Sequence, residues 1–227
     1  MSFETALRVT EVLMALCFLQ QGAEHMTGLP RERRLFALRS LLCLPLLAGT
    51  GTAWALPALL GVSLLILARF RGPYNGGSDR MGLLMLTCLC AARLAPGPTL
   101  AETAFAYLAV QLVLSYVVSG QVKVVNPDWR RGVVLVDVFR FSAYPVSESL
   151  RGWADRPRLL LAMSWAVMGL ELAFPLSLLH PVALACALVL TAAFHLGNAC
   201  LFGLNRFFWI WLAAYPSLLW FQQRVFG

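Results

Sequence analysis

Apolar stretches long enough to cross a lipid bilayer recur along this chain and restrict its fold more than any other feature. A helix needs about 20 residues to cross the hydrocarbon core of a bilayer. Predominantly apolar segments of about this length, the second of them shorter, occupy 5–26, 35–49, 52–69, 80–96, 101–124, 158–179, 181–203 and 207–224. With 59% hydrophobic residues, 13% charged residues and a mean hydropathy of +0.73, the composition excludes an ordinary soluble domain, in which about 25% of residues are charged. We predict an all-α, polytopic membrane bundle of about eight transmembrane segments, forming a single integral membrane domain over residues 1–227.

Basic residues are unevenly distributed between the connecting segments, and this predicts an orientation. If the amino terminus lies outside, 14 of the 18 basic residues lie in or at the edges of the inner segments 27–34, 69–80, 124–157 and 204–206. Only Arg8, Arg93 and Arg224 fall near the outer ends. Because cytoplasmic loops carry an excess of Lys and Arg, we expect both termini outside.

The net charge is +7, and most of the basic residues lie in the predicted inner loops. Both features favour contact with anionic membrane lipid. The arginines are spread over several loops, not grouped on one soluble face, so we expect no nucleic-acid binding. We also expect no cleavable signal peptide, because the first segment carries several charged residues and lacks a small-residue cleavage site.

Polar residues of the predicted spans concentrate toward their inner ends. Such groups are costly in hydrocarbon, so they face one another or a water-filled cavity. We therefore predict a polar pocket in the cytoplasmic third of the bilayer, to which these residues contribute: Glu24, Asn75, Asp79, Arg80, Lys123, His195 and Asn198. Glu171 lies deeper, about 20 Å from the inner end of its span at about 1.5 Å per residue. Either a neutral acid bonded to a neighbouring helix or a functional group fits that position.

Lys123 is the only lysine of the chain, since every other basic residue is an arginine. One interpretation is a cation at a helix end that extends to the membrane surface. The other is a chemical role, because arginine does not lose its proton in proteins. Only Lys123 could therefore act as an amine base or nucleophile.

The segment 125–157 is the longest polar connection. Its Asn126-Pro127 step predicts a helix end, because the residue before proline disfavours the α conformation. The apolar run 133–141 is too short to cross a bilayer, and we expect it to lie at the interface with Trp129 at headgroup level.

Cysteine and histidine spacing gives no metal-site prediction. All six cysteines lie in apolar sequence, and we expect them to be reduced packing residues. The three histidines do not form a metal-ligand spacing.

Two motifs resemble those of a known family. Gly120-x-x-Lys123 followed by Asp128-Trp129-x-x-Gly132 resembles the lysine-bearing helix end of the vitamin K-dependent γ-carboxylase membrane domain, which is called the HTTM domain in bacterial relatives. Phe194-His195-x-x-Asn198 is similar to a second segment of that domain. Glu171 takes the place of an acidic residue on the intervening helix. The resemblance covers about residues 80–225 in order and extends to the first third through 74–78.

The resemblance implies a chemistry. In the carboxylases the lysine that matches Lys123 is taken as the base that deprotonates vitamin K hydroquinone. By the same resemblance, His195 and Asn198 would orient a quinone ring or stabilise an oxyanion. It implies a quinone or hydroquinone as ligand, a ligand-binding role for Glu171 and Trp129 beside the pocket residues, and a bacterial inner membrane as location.

Departures from the family pattern leave two classes of function. The carboxylases have a histidine after the asparagine that resembles Asn75, where this chain has Gly76 or Gly77, and they carry a large extramembrane region for the protein substrate. We therefore do not expect glutamate carboxylation. Proteins of this size also resemble DoxX-like membrane proteins. One class is a quinone-linked membrane oxidoreductase, and the other is a non-catalytic membrane subunit that serves as scaffold or maturation partner, for example of a thiol-disulfide oxidoreductase.

Overall fold

A computed structural model describes residues 1–26, 30–69, 76–142 and 145–227. Every regular element in these ranges is a helix, which confirms the all-α prediction. The α-helices are α1 (Phe3–His25), α2 (Pro30–Ala48), α3 (Thr52–Arg69), α4 (Gly76–Leu94), α5 (Pro98–Val125), α6 (Pro127–Arg130), α7 (Val133–Phe141), α8 (Pro157–Ala173), α9 (Pro181–Phe202) and α10 (Asn205–Phe226). Two 3₁₀ helices cover Pro145–Asp155 and Phe174–Leu179.

Each of the predicted apolar segments falls on a long helix. Within the described ranges, four helical stretches are long and apolar enough to cross a membrane: Thr52–Arg69, Pro98–Val125, Pro157–Leu179 and Pro181–Phe202. The helices α1, α2, α4 and α10 do not meet the combined criterion of length, hydropathy and charge. A membrane-spanning helical protein is therefore supported, while the count of eight spans stays a prediction.

Proline marks the first residue of several helices, where its missing N–H is not needed. The predicted helix end at the Asn126-Pro127 step is confirmed, because α5 ends at Val125 and α6 begins at Pro127. The Asn126 side chain accepts a hydrogen bond from the backbone N–H of Asp128 at 2.9 Å. This cap satisfies one of the open N–H groups of α6.

The chain divides into two compact units. Unit 1 comprises Met1–Val110 and Trp209–Arg224, and unit 2 comprises Gln111–Phe208 and Val225–Gly227. The helix α5 contributes its first part to unit 1 and its last part to unit 2. A single domain over the whole chain stays a prediction.

In unit 1, two charged residues of α1 bond to two other helices. Glu11 on α1 is fully buried and accepts a hydrogen bond from Arg93 Nε, on α4, at 2.6 Å. Arg8, one turn before Glu11, donates to the carbonyl oxygens of Leu46 and Leu47 near the end of α2. These contacts satisfy carbonyls that have no partner within α2.

In unit 2, the predicted apolar run 133–141 forms α7, whose Phe139 is buried with Ala154 and Leu160. Gly132 precedes α7 with a φ of 75°, a left-handed conformation that favours glycine. A Cβ atom at this position would lie 2.9 Å from Leu161 Cα, so Gly132 allows the segment before α7 to pass close to α8. The location of α7 at the membrane interface stays a prediction.

Candidate functional site

Four residues of the candidate site in unit 2 lie on one face of α5. Tyr116, Ser119, Gly120 and Lys123 follow a spacing of three, four and seven residues, which places them on one side of a helix. Gly120 brings this face against α8, since a Cβ atom there would lie 2.9 Å from Leu172 Cγ and 3.0 Å from the Cβ of Glu171. The glycine therefore lets the two helices approach closely enough for their side chains to bond.

The ammonium group of Lys123 is bound to the carboxylate of Glu171. Lys123 Nζ lies 2.8 Å from both Oε1 and Oε2 of Glu171. Ser119 completes the group, because its Oγ accepts a hydrogen bond from Lys123 and donates to Glu171 Oε1 at 3.0 Å. The side chains of Lys123 and Glu171 are only 15% and 4% exposed. The charged end of Lys123 turns to α8, and its extension to the membrane surface stays a prediction.

Trp129 lies next to this group. Its ring centroid lies 5.3 Å from Lys123 Nζ, within the range of a cation–π interaction. The Trp129 carbonyl accepts a hydrogen bond from Ser164 Oγ at 2.6 Å, and the carbonyl of Arg130 accepts one from Trp165 Nε1 at 3.2 Å. Two residues of α8 thus hold the backbone that follows α5.

The relative depth of Lys123 and Glu171 corrects a prediction. From the sequence, Lys123 ends its span at the inner side and Glu171 lies about 20 Å from that side, whereas the structure brings the two side chains into contact. The reason is the path of residues 126–132, which run back along α8 from Glu171 toward Leu161. The end of α5 therefore lies beside the later turns of α8 and not beside its first turn.

His195 is buried on α9 and is 6% exposed. Its Nε2 lies 3.1 Å from the hydroxyl of Tyr116, whose ring contacts the ring of Phe174 in a tilted arrangement, with 4.4 Å between centroids. Tyr116 and Lys123 are two turns apart on α5, about 10 Å along the helix axis. Asn198 follows His195 by one turn and is half-buried. Tyr116 thus joins α5, the helix that carries Lys123, to His195 on α9.

The remaining predicted pocket residues belong to unit 1. Asp79 accepts a hydrogen bond from the Gln21 amide at 2.8 Å, and the other end of that amide accepts one from the buried Arg39 at 2.6 Å. Glu24 is exposed and bonded to Gln20, and Arg80 is exposed on α4. Asn75 lies outside the described residues. A cavity shared by Glu24, Arg80, Lys123, His195 and Asn198 stays a prediction.

The structure has the motifs in the order noted in the sequence. The Gly-x-x-Lys motif ends α5, Glu171 lies on α8, and the His-x-x-Asn motif lies on α9. The sequence pattern of the HTTM domain family matches residues 98–223, more than half of the chain. The chain belongs to the HTTM domain family. Comparison with curated proteins and with solved structures gave no match.

The HTTM domain match includes every residue of the unit 2 site, from Tyr116 to Asn198, whereas the polar contacts of Gln21, Arg39 and Asp79 precede it. Family membership and the four apolar helices together identify an integral membrane protein.

Sequence analysis did not name two residues that take part in the site of unit 2. Ser119 and Tyr116 bond to the predicted residues, yet a serine and a tyrosine in an apolar helix carry no motif. The signal available was their spacing of four and seven residues from Lys123, which places all three on one helix face.

Proposed function

We propose that this HTTM protein binds a quinone, a hydroquinone or a similar lipophilic redox molecule beside Lys123, and that Lys123 acts as the base of the site. One observation carries the proposal. The sole lysine is held by Glu171 and Ser119, with the Trp129 ring beside it. A buried ion pair often stabilises a protein no more than hydrophobic residues of similar volume at the same positions. Its presence between apolar helices is therefore best explained by function.

The surrounding groups fit a planar ligand that carries ring oxygens. The indole of Trp129 offers an aromatic face next to the amine, and aromatic rings attract each other in stacked or edge-on arrangements. His195 and Asn198 are the groups that we propose to orient a ligand oxygen by hydrogen bonding. We place the site in a bacterial inner membrane, with both termini outside.

The family resemblance supports the role of the lysine, since the γ-carboxylases use the matching lysine to deprotonate a hydroquinone. We do not extend the proposal to carboxylation of glutamate, because the asparagine-histidine pair of the carboxylases is replaced here by Asn75-Gly76.

The proposal is tested by identifying the small molecule that co-purifies with the protein. The full chain is purified in a mild detergent, extracted with organic solvent and examined by mass spectrometry, beside Lys123→Arg and the reverse exchange Arg131→Lys at an exposed position. We expect a quinone to co-purify with the wild type and with Arg131→Lys. Lys123→Arg keeps the charge but cannot lose its proton, so it should retain ligand while losing any ligand-dependent turnover.

Two outcomes would overturn the proposal. Full turnover by Lys123→Arg would exclude lysine as the base. A co-purifying polypeptide, with no lipophilic redox molecule in the extract, would favour the alternative of a non-catalytic scaffold or maturation subunit.

A further inference from the structure

Lys123 has no unused donor in this structure. An ammonium group carries three N–H donors and no acceptor. The partners of Lys123 Nζ are Glu171 Oε1, Glu171 Oε2 and Ser119 Oγ, with the Ser119 carbonyl oxygen farther away at 3.5 Å. A base needs a lone pair, and Lys123 obtains one only after its own proton has moved to another atom.

The atoms placed to receive that proton belong to Glu171. Both of its carboxylate oxygens lie 2.8 Å from Lys123 Nζ, within the distance of direct proton transfer along a hydrogen bond. Ser119 already accepts from Lys123 and donates to Glu171 Oε1, which fixes the carboxylate against the amine. The transfer would replace two buried charges, which are costly to keep, by a neutral amine beside a neutral acid.

We infer that the base of this site is the Lys123–Glu171 pair, with Glu171 as the group that stores the proton. The inference rests on the proposed function and adds the destination of the proton to it. First, a Lys123 N–H bond breaks and a Glu171 O–H bond forms, which leaves a neutral amine with a lone pair. Next, the ligand O–H bond breaks and a new N–H bond forms on Lys123. The ligand is left as an oxyanion beside the ammonium, and the net movement is one proton from ligand to Glu171 with no oxidant or reductant.

This scheme defines the class of ligand. The ligand is a weak acid with a hydroxyl group, such as a hydroquinone or a phenol, which arrives neutral through the lipid and is ionised only at the site. A molecule that lacks an acidic hydroxyl, such as an oxidised quinone, can bind but cannot complete the second step.

The experiment measures where the proton goes. Para-nitrophenol is the probe, since its anion absorbs visible light and its neutral form does not. The full chain in lipid nanodiscs is titrated with the probe at a pH at which the probe is neutral in solution, and empty nanodiscs serve as the blank. Calorimetry in two buffers of different ionisation enthalpy then counts the protons released on binding.

For the wild type we expect the bound probe to be ionised with no net release of protons, because Glu171 keeps the proton. For Glu171→Gln we expect an ionised probe and the release of about one proton per probe bound, since the amide cannot store it. Glu148→Gln, an exposed carboxylate of unit 2, should behave as the wild type. The infrared difference spectrum of the wild type should gain a protonated carboxylic acid band that Glu171→Gln lacks.

Other results contradict the inference. If the wild type binds the ionised probe and releases a proton, or binds the probe in its neutral form, Glu171 does not store the proton while the proposed ligand site survives. If Glu171→Gln also releases none, another group is the acceptor. Failure of the wild type to bind the probe overturns both this inference and the proposed function. Should Glu171→Gln fold poorly, the wild-type spectrum and proton count decide alone, and Glu171→Asp should reproduce them.

Discussion

Removal of the amine from the Lys123–Glu171 pair is the most direct test of the site geometry. Truncation of one partner of a buried ion pair leaves the other charge without compensation and costs about 3–5 kcal/mol. The exposed fractions of 15% and 4% place this pair among the buried ones, so Lys123→Ala should lose free energy of unfolding in that range.

The assay is thermal unfolding of the purified chain in detergent, followed by circular dichroism. At about 2–4 °C per kcal/mol for a chain of this size, Lys123→Ala should lower Tm by about 6–20 °C. Lys123→Arg should stay close to the wild type, because a guanidinium can bind a carboxylate through two hydrogen bonds.

The matched control is the exposed pair of Arg140 and Asp155, also in unit 2, whose side chains are 51% and 81% exposed and 3.7 Å apart. Arg140→Ala should cost less than about 1 kcal/mol. The double variant Lys123→Met with Glu171→Leu, which removes both charges at similar volume, should recover most of the loss. If Lys123→Ala is no less stable than Arg140→Ala, the buried ion pair does not exist as described.

Three further outcomes follow from other contacts. Gly120→Ala should lower the free energy of unfolding by about 1–3 kcal/mol, because the added methyl overpacks the α5–α8 contact. Gly169→Ala has nothing within 4 Å of its added Cβ and should not destabilise the protein. Equal Tm values for the two variants would contradict the close approach of α5 and α8. Tyr116→Phe keeps the ring but removes the hydroxyl partner of buried His195, at about 1–3 kcal/mol, and an unchanged Tm would exclude that bond. In a cysteine-free background, Glu148→Cys should resist an impermeant thiol reagent in intact cells and react after lysis; labelling of intact cells would reverse the predicted orientation.

The helices of this chain could be predicted from local sequence. Of the site in unit 2, the sequence named Lys123, Glu171 and His195 but neither Ser119 nor Tyr116, and it did not predict the contacts between them. Apolar length and the Asn126-Pro127 step are local signals, and they located α3 and the end of α5. The contact of Lys123 with Glu171 depends on the return of residues 126–132 along α8, which arises from tertiary packing and from hydrogen bonds such as that of Ser164. Depth counted along each helix separately cannot reveal such a return.

The pairing of the α5 end with α8 also sets an order of events during biosynthesis. Glu171 follows Lys123 by 48 residues, so a ribosome working at about 5–20 residues per second delivers it about 2–10 s later. During that interval the lysine and the carbonyl groups after α5 have to be hydrated or held by the insertion machinery. The site is therefore assembled only after α8 has been made, and a nascent chain that stops before α8 presents a charged helix end with no carboxylate to receive it.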